Sequence, residues 1–253
     1  MNITVNDFFK PLNLKDKPLE KDYMQVSPYI EFAKSLSQVT YQSIYLIDYY
    51  KRGFAYVSDN PILLCGKTSN QVLHDGYLFY LKNVPNEDLE LLLKINMAGF
   101  SFFSNIPKDD RLTYSISYDF HLIQRNKHLV LINHKLTPLL LDKDANIWIA
   151  LCVVSLSSND HSGNIKIKRK GENKVYHFDL TADKWQEQTI PKLNSQEREI
   201  LILSGQGFTM EKIAKELFLS IDTIKFHKKN LFKKLSTRSI SEAIAAATNL
   251  TLI

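Results

Sequence analysis

Apolar and polar positions follow two different rhythms along the chain. From Thr40 onward, short runs rich in β-branched and aromatic residues predict strands. These runs are YQSIYLIDYY, FAYVSDN, SYDFHLI, HLVLINHKL and WIALCVVSL. After Ile190 the apolar residues recur at three- and four-residue spacing, which is typical of amphipathic helices. The sequence therefore predicts the α+β class, with a β-rich part followed by an all-α part.

Helices interrupt the β-rich part at two places. The stretch PYIEFAKSLSQV at 28–39 predicts a short amphipathic helix. A longer helix starts at Pro85 or Asn86, since Glu87 and Asp88 then lie in its first turn, where the helix dipole favours acidic side chains. NIKIKRKGENKVYHFDL at 164–180 predicts a hairpin. We therefore expect an N-terminal extension with a short helix (1–39), a β-rich domain (40–158), a β-hairpin linker (159–190) and a helical domain (191–253).

The helical part divides into four helices. Residues that cap helix N-termini precede each of them: Asn194, which forms a capping box with Glu197, Thr209, Ser220, and Ser239 or Ser241. Gly205 and Gly207 end the first helix. The second and third helices run to Leu217 and Leu235, which leaves Phe218-Leu219 as a tight turn between them. Two short helices joined by such a turn form a helix-turn-helix.

The third helix carries the candidate chemistry. Ile224, Leu231 and Leu235 cluster on one side, which predicts that this side packs inward. Lys225, Lys229 and Lys233 form a stripe elsewhere on the helix. Like charges at this spacing destabilise a helix by a few tenths of a kcal/mol per pair, roughly. The stripe therefore favours a helix that lies against DNA phosphates and base edges over a merely solvated face.

The distribution of charge agrees with this interpretation. The chain carries a net charge of +5. From Ile190 to the end there are ten Lys/Arg and six Asp/Glu, so this quarter supplies +4 of the total. A polyanionic partner is therefore expected for the C-terminal part alone.

The helical part resembles the LuxR-type helix-turn-helix of bacterial regulators over residues 191–252. The matching residues are Leu193, Glu197, Glu199, Ile200, Leu201, Gly207, Thr209, Ile213, Ala214, Leu217, Ser220, Thr223, Ile224, Lys225, His227, Lys234 and Leu235. Gln196, Glu211-Lys212 and Ile240 depart from the family pattern, which puts individual salt bridges in doubt but not the fold.

The resemblance implies a recognition helix in the major groove from Ser220 to Leu235. Lys225, Phe226 and Lys229 would lie nearest the bases, with Ser220, Thr223 and His227 near phosphates. The full set of expected DNA-binding residues is Ser220, Thr223, Lys225, Phe226, His227, Lys228, Lys229, Lys233 and Lys234. For His227, packing inside the domain is an equal alternative.

The last helix carries a stripe of mostly small residues, Ile240, Ala243, Ile244 and Ala247. In the family that this segment resembles, the corresponding helix commonly makes a dimer contact, so these four residues are the expected dimerisation surface. Packing of the same stripe on its own domain is the alternative, and the sequence leaves both open.

The β-rich part resembles a PAS-type sensor domain from about Tyr41 to Ser158. Its matching features are Val57-Ser58-Asp59-Asn60, Gly66, and Pro85 with Asp88, followed by three long antiparallel strands. A phosphorylated receiver domain is not expected, because the first strand ends Ile47-Asp48-Tyr49-Tyr50 without an acidic pair. The resemblance implies a PAS-like antiparallel sheet with flanking helices that senses a signal or mediates dimerisation.

No cofactor is evident in the sequence. Cys65 lacks the surroundings of a flavin-reactive cysteine, and residues 86–104 contain no histidine that could bind haem iron. The ligand of the PAS-like domain is unknown. If a pocket exists, we expect it between the helix at 86–98 and the strands at 114–123, 128–136 and 147–156. We expect a tryptophan substituted for Ile116 or Leu131 to fill it.

Other classes of function receive no support from the sequence. GxSxG, P-loop, GxGxxG and HExxH motifs are absent, so no catalytic residue is expected. Cys65 and Cys152 are far apart, so neither a metal site nor a disulfide is expected, and a reducing cytoplasm fits. No apolar run is long enough to cross a bilayer, and we expect no signal peptide and no membrane partner.

The sequence therefore predicts a cytoplasmic transcription regulator that binds specific DNA sequences. Its expected partners are double-stranded DNA, a second copy of the chain in a homodimer, and RNA polymerase. The alternative is a protein-interaction adaptor whose helical C-terminal domain binds protein rather than DNA.

Overall fold

The computed structural model describes residues 3–12, 14 and 17–253. The chain forms two compact units, Met1–Gln188 and Thr189–Ile253. The first unit contains one eight-stranded antiparallel sheet with helices, and the second consists of helices. The predicted α+β class is confirmed.

The secondary structure of the first unit follows the predicted order. Its helices are α1 (Ser27–Gln38), α2 (Pro61–Leu64), α3 (Ser69–Asp75), α4 (Leu78–Asn83) and α5 (Asn86–Ser104). Its strands are β1 (Ser43–Asp48), β2 (Gly53–Val57), β3 (Tyr114–Ile123), β4 (Leu129–Leu141), β5 (Ile147–Leu156), β6 (Gly163–Arg169), β7 (Lys174–Asp179) and β8 (Lys184–Thr189). Short 3-10 helices lie at Val5–Phe9, Glu20–Gln25 and Lys108–Thr113. Two strands, short helices, one long helix and three long strands form the PAS-like arrangement that the sequence predicted.

The strands lie in the order β2-β1-β5-β4-β3-β6-β7-β8. The first five are the predicted PAS-like strands, and the last three continue the same sheet. Strand β6 pairs with β3, and Ile116 lies opposite Ile167. Ile165, Ile167 and Val175 are buried. The prediction of a β-hairpin linker at 159–190 is therefore corrected. The segment forms strands of the main sheet and belongs to the first unit up to Gln188, since its alternating apolar residues are buried there.

The predicted N-terminal extension also needs correction. Phe8 and Phe9 are 3% and 5% exposed and belong to the main core of the first unit. Phe9 packs edge-on against Tyr77, with 4.5 Å between ring centroids. Two adjacent phenylalanines stabilise the fold only when water is excluded from them, so this segment packs with the rest of the first unit.

The sheet has an apolar core on each face. On one face Tyr45, Phe120 and Ile132 pack with α4 and α5. On the other face Ile44, Leu46 and Ile149 pack with α1 through Ala33. Since neighbouring residues of a strand point to opposite faces, β1 supplies Tyr45 to the first core and its neighbours Ile44 and Leu46 to the second.

Polar side chains form a hydrogen-bonded chain in the first core. The Tyr45 hydroxyl lies 2.5 Å from the Tyr80 hydroxyl and 2.5 Å from Nε2 of His134. His134 is 1% exposed, and burial lowers its pKa to about 3. Burial also raises the pKa of Tyr45 and of the Cys152 thiol well above their ordinary values. These groups are therefore uncharged at neutral pH.

A cavity of about 60 Å³ lies between α5 and the sheet, in the predicted place. Its lining is mostly aromatic and aliphatic, and includes Phe100, Phe103, Ile116, Tyr118, Leu136 and Ile167. It extends beyond the predicted helix 86–98 to the last turns of α5. Ile116 lines the cavity as expected, but Leu131 does not. Its neighbour Ile132 points into this core, so Leu131 points to the other face, and that expectation is corrected.

The second unit contains four helices: α6 (Ser195–Gly205), α7 (Met210–Glu216), α8 (Ile221–Leu235) and α9 (Ile240–Asn249). Their N-caps are Asn194, Thr209, Ser220 and Ser239, each of which accepts a hydrogen bond from a backbone N–H in the first turn. Gly207 has a φ of +81° just after α6, whereas Gly205 is still helical. In the part of the chain that the structure describes, no helix is long and apolar enough to span a bilayer.

Candidate nucleic-acid interface

Helix α8 is held in place by its inward side. Ile224 and Leu231 are fully buried, and Leu235 is 9% exposed. They pack in one core with residues from the other three helices, among them Ile200, Ile213 and Ala243. An aliphatic core fixes the rotation of α8 about its axis, because turning the helix would expose these side chains to water.

The opposite side of α8 is open to solvent. Lys225, Phe226, Lys229 and Lys233 are exposed, as the sequence predicted. Lys225 Nζ lies 3.1 Å from a carboxylate oxygen of Asp222. Both side chains of this pair are well exposed, so the contact contributes little to stability and yields easily to a phosphate. Asp222 was not among the predicted site residues.

Ser220 and Thr223 form the N-cap of α8. The Ser220 hydroxyl accepts a hydrogen bond from the backbone N–H of Thr223 at 3.1 Å, and the two hydroxyl oxygens lie 2.8 Å apart. These side chains were predicted near phosphates. In the structure the Ser220 hydroxyl accepts a backbone N–H that would otherwise lack a partner in the first turn of the helix. Both side chains also lie at the positive end of the helix dipole, where an anion is favoured.

Lys234 has a structural role. Its ammonium lies 2.7 Å from Oε2 of Glu197 and 3.3 Å from the carbonyl oxygen of Lys192. Glu197 is 1% exposed, and the same Oε2 accepts the backbone N–H of Asn194 at 2.9 Å. Because a buried carboxylate needs a cation, Lys234 stabilises the second unit through this ion pair, and its predicted contact with DNA stays a prediction. The sequence paired Glu197 with Asn194 but missed Lys234, which lies 37 residues away.

His227 lies on the flank of α8 between its buried and exposed sides. The side chain is half-buried, and its Nδ1 is inaccessible to solvent with no hydrogen-bond partner among the described residues. A phosphate oxygen therefore cannot reach Nδ1 from outside. Nε2 is the nitrogen left for such a contact, so both the packing role and the phosphate role stay open.

A groove runs beside α8 within the second unit. It is lined by Lys225, Lys228 and Lys229 together with the apolar Met210, Phe232 and Ile240. Three lysines within five residues of one helix create a positive potential that favours a polyanion. This arrangement brings Lys228, another predicted DNA-binding residue, to the same side as Lys225 and Lys229.

The four residues of the predicted dimerisation stripe on α9 differ in burial. Ala243 and Ala247 are 0% exposed and belong to the core of the unit, so they cannot contact a partner while the core stays closed. Ile240 and Ile244 are half-buried. Of the four predicted residues, Ile240 and Ile244 are therefore the ones with surface left for a dimer contact.

Comparison with known proteins supports the assignment of the helical unit. Residues 191–247 match the family model described as bacterial regulatory proteins, luxR family. The spore germination protein GerE of Bacillus subtilis is 39% identical over 57 residues, which are 22% of this chain and 77% of GerE.

Solved structures resemble longer parts of the chain at low scores. The Vibrio cholerae VqmA dimer, a LuxR-type receptor without its target DNA, has a TM-score of 0.33 at 14% identity, over 89% of this chain and 86% of that one. The N-terminal domain of a Marinobacter aquaeolei diguanylate cyclase with a PAS/PAC sensor has a TM-score of 0.34 at 14% identity, over 46% of this chain and 94% of that one.

The capped helix-turn-helix, its aliphatic core and the similarity to GerE agree with one another. The chain belongs to the luxR family of bacterial regulatory proteins.

Proposed function

We propose that the protein binds specific sequences of double-stranded DNA through α8 and thereby regulates transcription. The observation that carries this proposal is the division of α8 into two sides. Ile224, Leu231 and Leu235 are buried in the core, while Lys225, Phe226, Lys229 and Lys233 are exposed together. A helix of this kind fits the major groove, where lysines meet phosphates and guanine acceptors.

A selection experiment tests the proposal. The full chain is incubated with a random double-stranded DNA library, and bound DNA is sequenced after several rounds. We expect an enriched sequence whose affinity exceeds that of random DNA by at least about a thousandfold. Affinity should also fall steeply as salt concentration rises, because lysines displace condensed counterions. Absence of enrichment at low salt would favour the alternative of a protein-binding adaptor.

Two copies of the chain are proposed to bind together. One short recognition helix contacts few base pairs, and a two-fold dimer on half-sites about one helical turn apart doubles that contact. Of the predicted stripe on α9, Ile240 and Ile244 have accessible surface for this contact. Ile244→Glu should then weaken binding to a paired site while leaving binding to one isolated half-site unchanged. A footprint in which the parent protects a single half-site as a monomer would contradict the dimer.

The first unit is proposed to control DNA affinity by sensing a small molecule rather than by phosphorylation. A ligand shifts such an equilibrium by its different affinity for the two states of the protein. The cavity between α5 and the sheet supports this role because its lining is apolar and polar groups such as Asn96 and Ser115 are few. RNA polymerase is the proposed partner through which DNA binding affects transcription, and the bacterial cytoplasm is the proposed location.

Filling the cavity provides the test. Ile116→Trp places a large ring in the cavity, whereas Leu131→Trp adds the same ring on the other face of the sheet. We expect the first substitution to change the DNA affinity of the full chain at least threefold and the second to leave it unchanged. Equal effects, or none, would mean that the first unit is a ligand-free structural module.

A further inference from the structure

Phe226 is an apolar residue in the middle of the exposed side of α8. Its side chain is 61% exposed. At about 100° per residue it lies about 160° around the helix from the buried Ile224. Asp222, Lys229 and Lys233 lie on the same arc, since they are four, three and seven residues away. The ring therefore points in the direction in which the lysines point.

The second unit leaves most of the Phe226 ring in water. The Phe226 ring lies edge-on to the ring of the adjacent His227, with 5.7 Å between ring centroids. Leaving most of an aromatic ring in water forfeits the favourable free energy of burying it. A single exposed apolar side chain is common on protein surfaces. Phe226, however, lies among the residues proposed to face base edges, so its exposure is consistent with a contact to DNA.

The chemistry of the ring restricts what it can recognise in DNA. A phenyl ring has no hydrogen-bond donor or acceptor, so it cannot pair with the polar atoms that base edges present. In the major groove the apolar group displayed by a standard base is the C5 methyl of thymine. Lys225 and Lys229 flank Phe226 and suit acceptors such as O6 and N7 of guanine on neighbouring base pairs.

We propose that Phe226 recognises the C5 methyl group of a thymine in each half-site, an assignment that rests on the proposed DNA binding. The ring covers the methyl and excludes water from it. The neighbouring lysines supply affinity and read adjacent base pairs. Phe226 thereby selects thymine at one position of each half-site.

The experiment removes the methyl group alone. Sites selected from a random library with the full chain are resynthesised with 2′-deoxyuridine in place of each thymine in turn. Burial of one methyl contributes about threefold to fivefold in affinity. We therefore expect one thymine per half-site at which this replacement weakens binding by that factor, and about tenfold or more when both half-sites are replaced.

Two protein variants complete the test. Phe226→Ala should bind the thymine and deoxyuridine sites equally, which shows that the methyl is read by this ring. Phe218→Ala is the matched control, because Phe218 is 94% exposed in the same unit but lies in the turn before α8. The control should retain the parent's preference for thymine.

The outcomes separate this proposal from the proposed function. A selected site that binds equally well with deoxyuridine at every position overturns the thymine assignment and leaves sequence-specific DNA binding intact. A methyl preference that persists in Phe226→Ala overturns the assignment to this residue. A library from which no sequence is enriched overturns both proposals.

Discussion

The two units of the protein differ in where a cluster of polar side chains lies, at the surface in the second unit and inside the core in the first. In the second unit the buried hydrophobic residues are isoleucine, leucine and alanine, and the lysines of α8 lie outside. In the first unit Tyr45, Tyr80 and His134 are joined by hydrogen bonds inside the core. The second unit thus exposes its charged side chains to solvent, whereas the first unit encloses these hydrogen-bonded side chains in its core.

This difference determines how each unit responds to mutation. In the second unit, exposed polar residues can change without loss of the fold, so their loss should appear in binding. In the first unit, buried polar residues such as His134 are part of the packing, so their loss should lower the stability of the fold. The ion pair between Glu197 and Lys234 is an exception, because it is a polar contact of the second unit that is partly buried. Breaking this pair should therefore change stability, whereas removing an exposed lysine of the same helix should not.

The largest effect is expected from Lys234→Met. It leaves the buried carboxylate of Glu197 without its cation. Breaking a buried pair costs about 3–5 kcal/mol, and since Lys234 is 38% exposed we expect about 2–3 kcal/mol. Native-state hydrogen exchange of core amides in α6 and α8 measures the loss. Lys233→Met is the matched control and should change the free energy of unfolding by less than about 0.5 kcal/mol.

A smaller effect is expected from the titration of His134. Its pKa is about 3 in the folded protein and near 6.5 when unfolded, so the unfolded chain binds more protons between these values. Stability of the first unit should therefore fall as pH falls through 6.5, by about 1–2 kcal/mol from pH 7.5 to 5.5 for this residue.

Tryptophan fluorescence reports this change, since both tryptophans, Trp148 and Trp185, belong to the first unit. Urea unfolding at the two pH values is compared between the parent and His134→Gln, which cannot titrate. The variant should lose less stability on acidification. An identical loss in both proteins would show that His134 is not the group responsible.

The smallest effect is expected from Ser220→Ala, which removes the N-cap of α8. Loss of such a cap costs about 1 kcal/mol of stability. Ser220→Asn keeps an oxygen that can accept the Thr223 N–H and should retain most of the stability. If both variants fold equally well but lose DNA affinity alike, Ser220 acts through a phosphate contact and not through the cap.

The sequence predicts the second unit well because its determinants are local. Caps such as Thr209 and Ser220 act within three residues, and the inward face of α8 follows from helical periodicity. What the sequence missed is the long-range bond between Glu197 and Lys234, which depends on helix packing. The sequence left open whether Ala243 and Ala247 pack in their own domain or against a partner. An apolar stripe looks the same in sequence whether its own domain or a partner covers it.

The first unit was predicted in outline, with errors where strands meet. The order of strands and of α5 follows from local patterns, but pairing of β6 with β3 joins residues about fifty positions apart. Without that pairing, 159–190 has the pattern of a detached hairpin. The cluster of Tyr45, Tyr80 and His134 has no sequence signature, since its members come from β1, α4 and β4 and meet only when the sheet forms.

The most direct test of DNA reading by α8 compares Lys229→Ala with Lys233→Ala in the full chain. Affinity for the selected site and for random DNA is measured across salt concentrations. Lys229→Ala should weaken specific binding by about 1–3 kcal/mol and reduce the ratio of specific to random affinity. Lys233→Ala should weaken both equally and lower the salt slope by about one unit. If both variants match the parent on both DNAs at every salt concentration, α8 does not bind DNA.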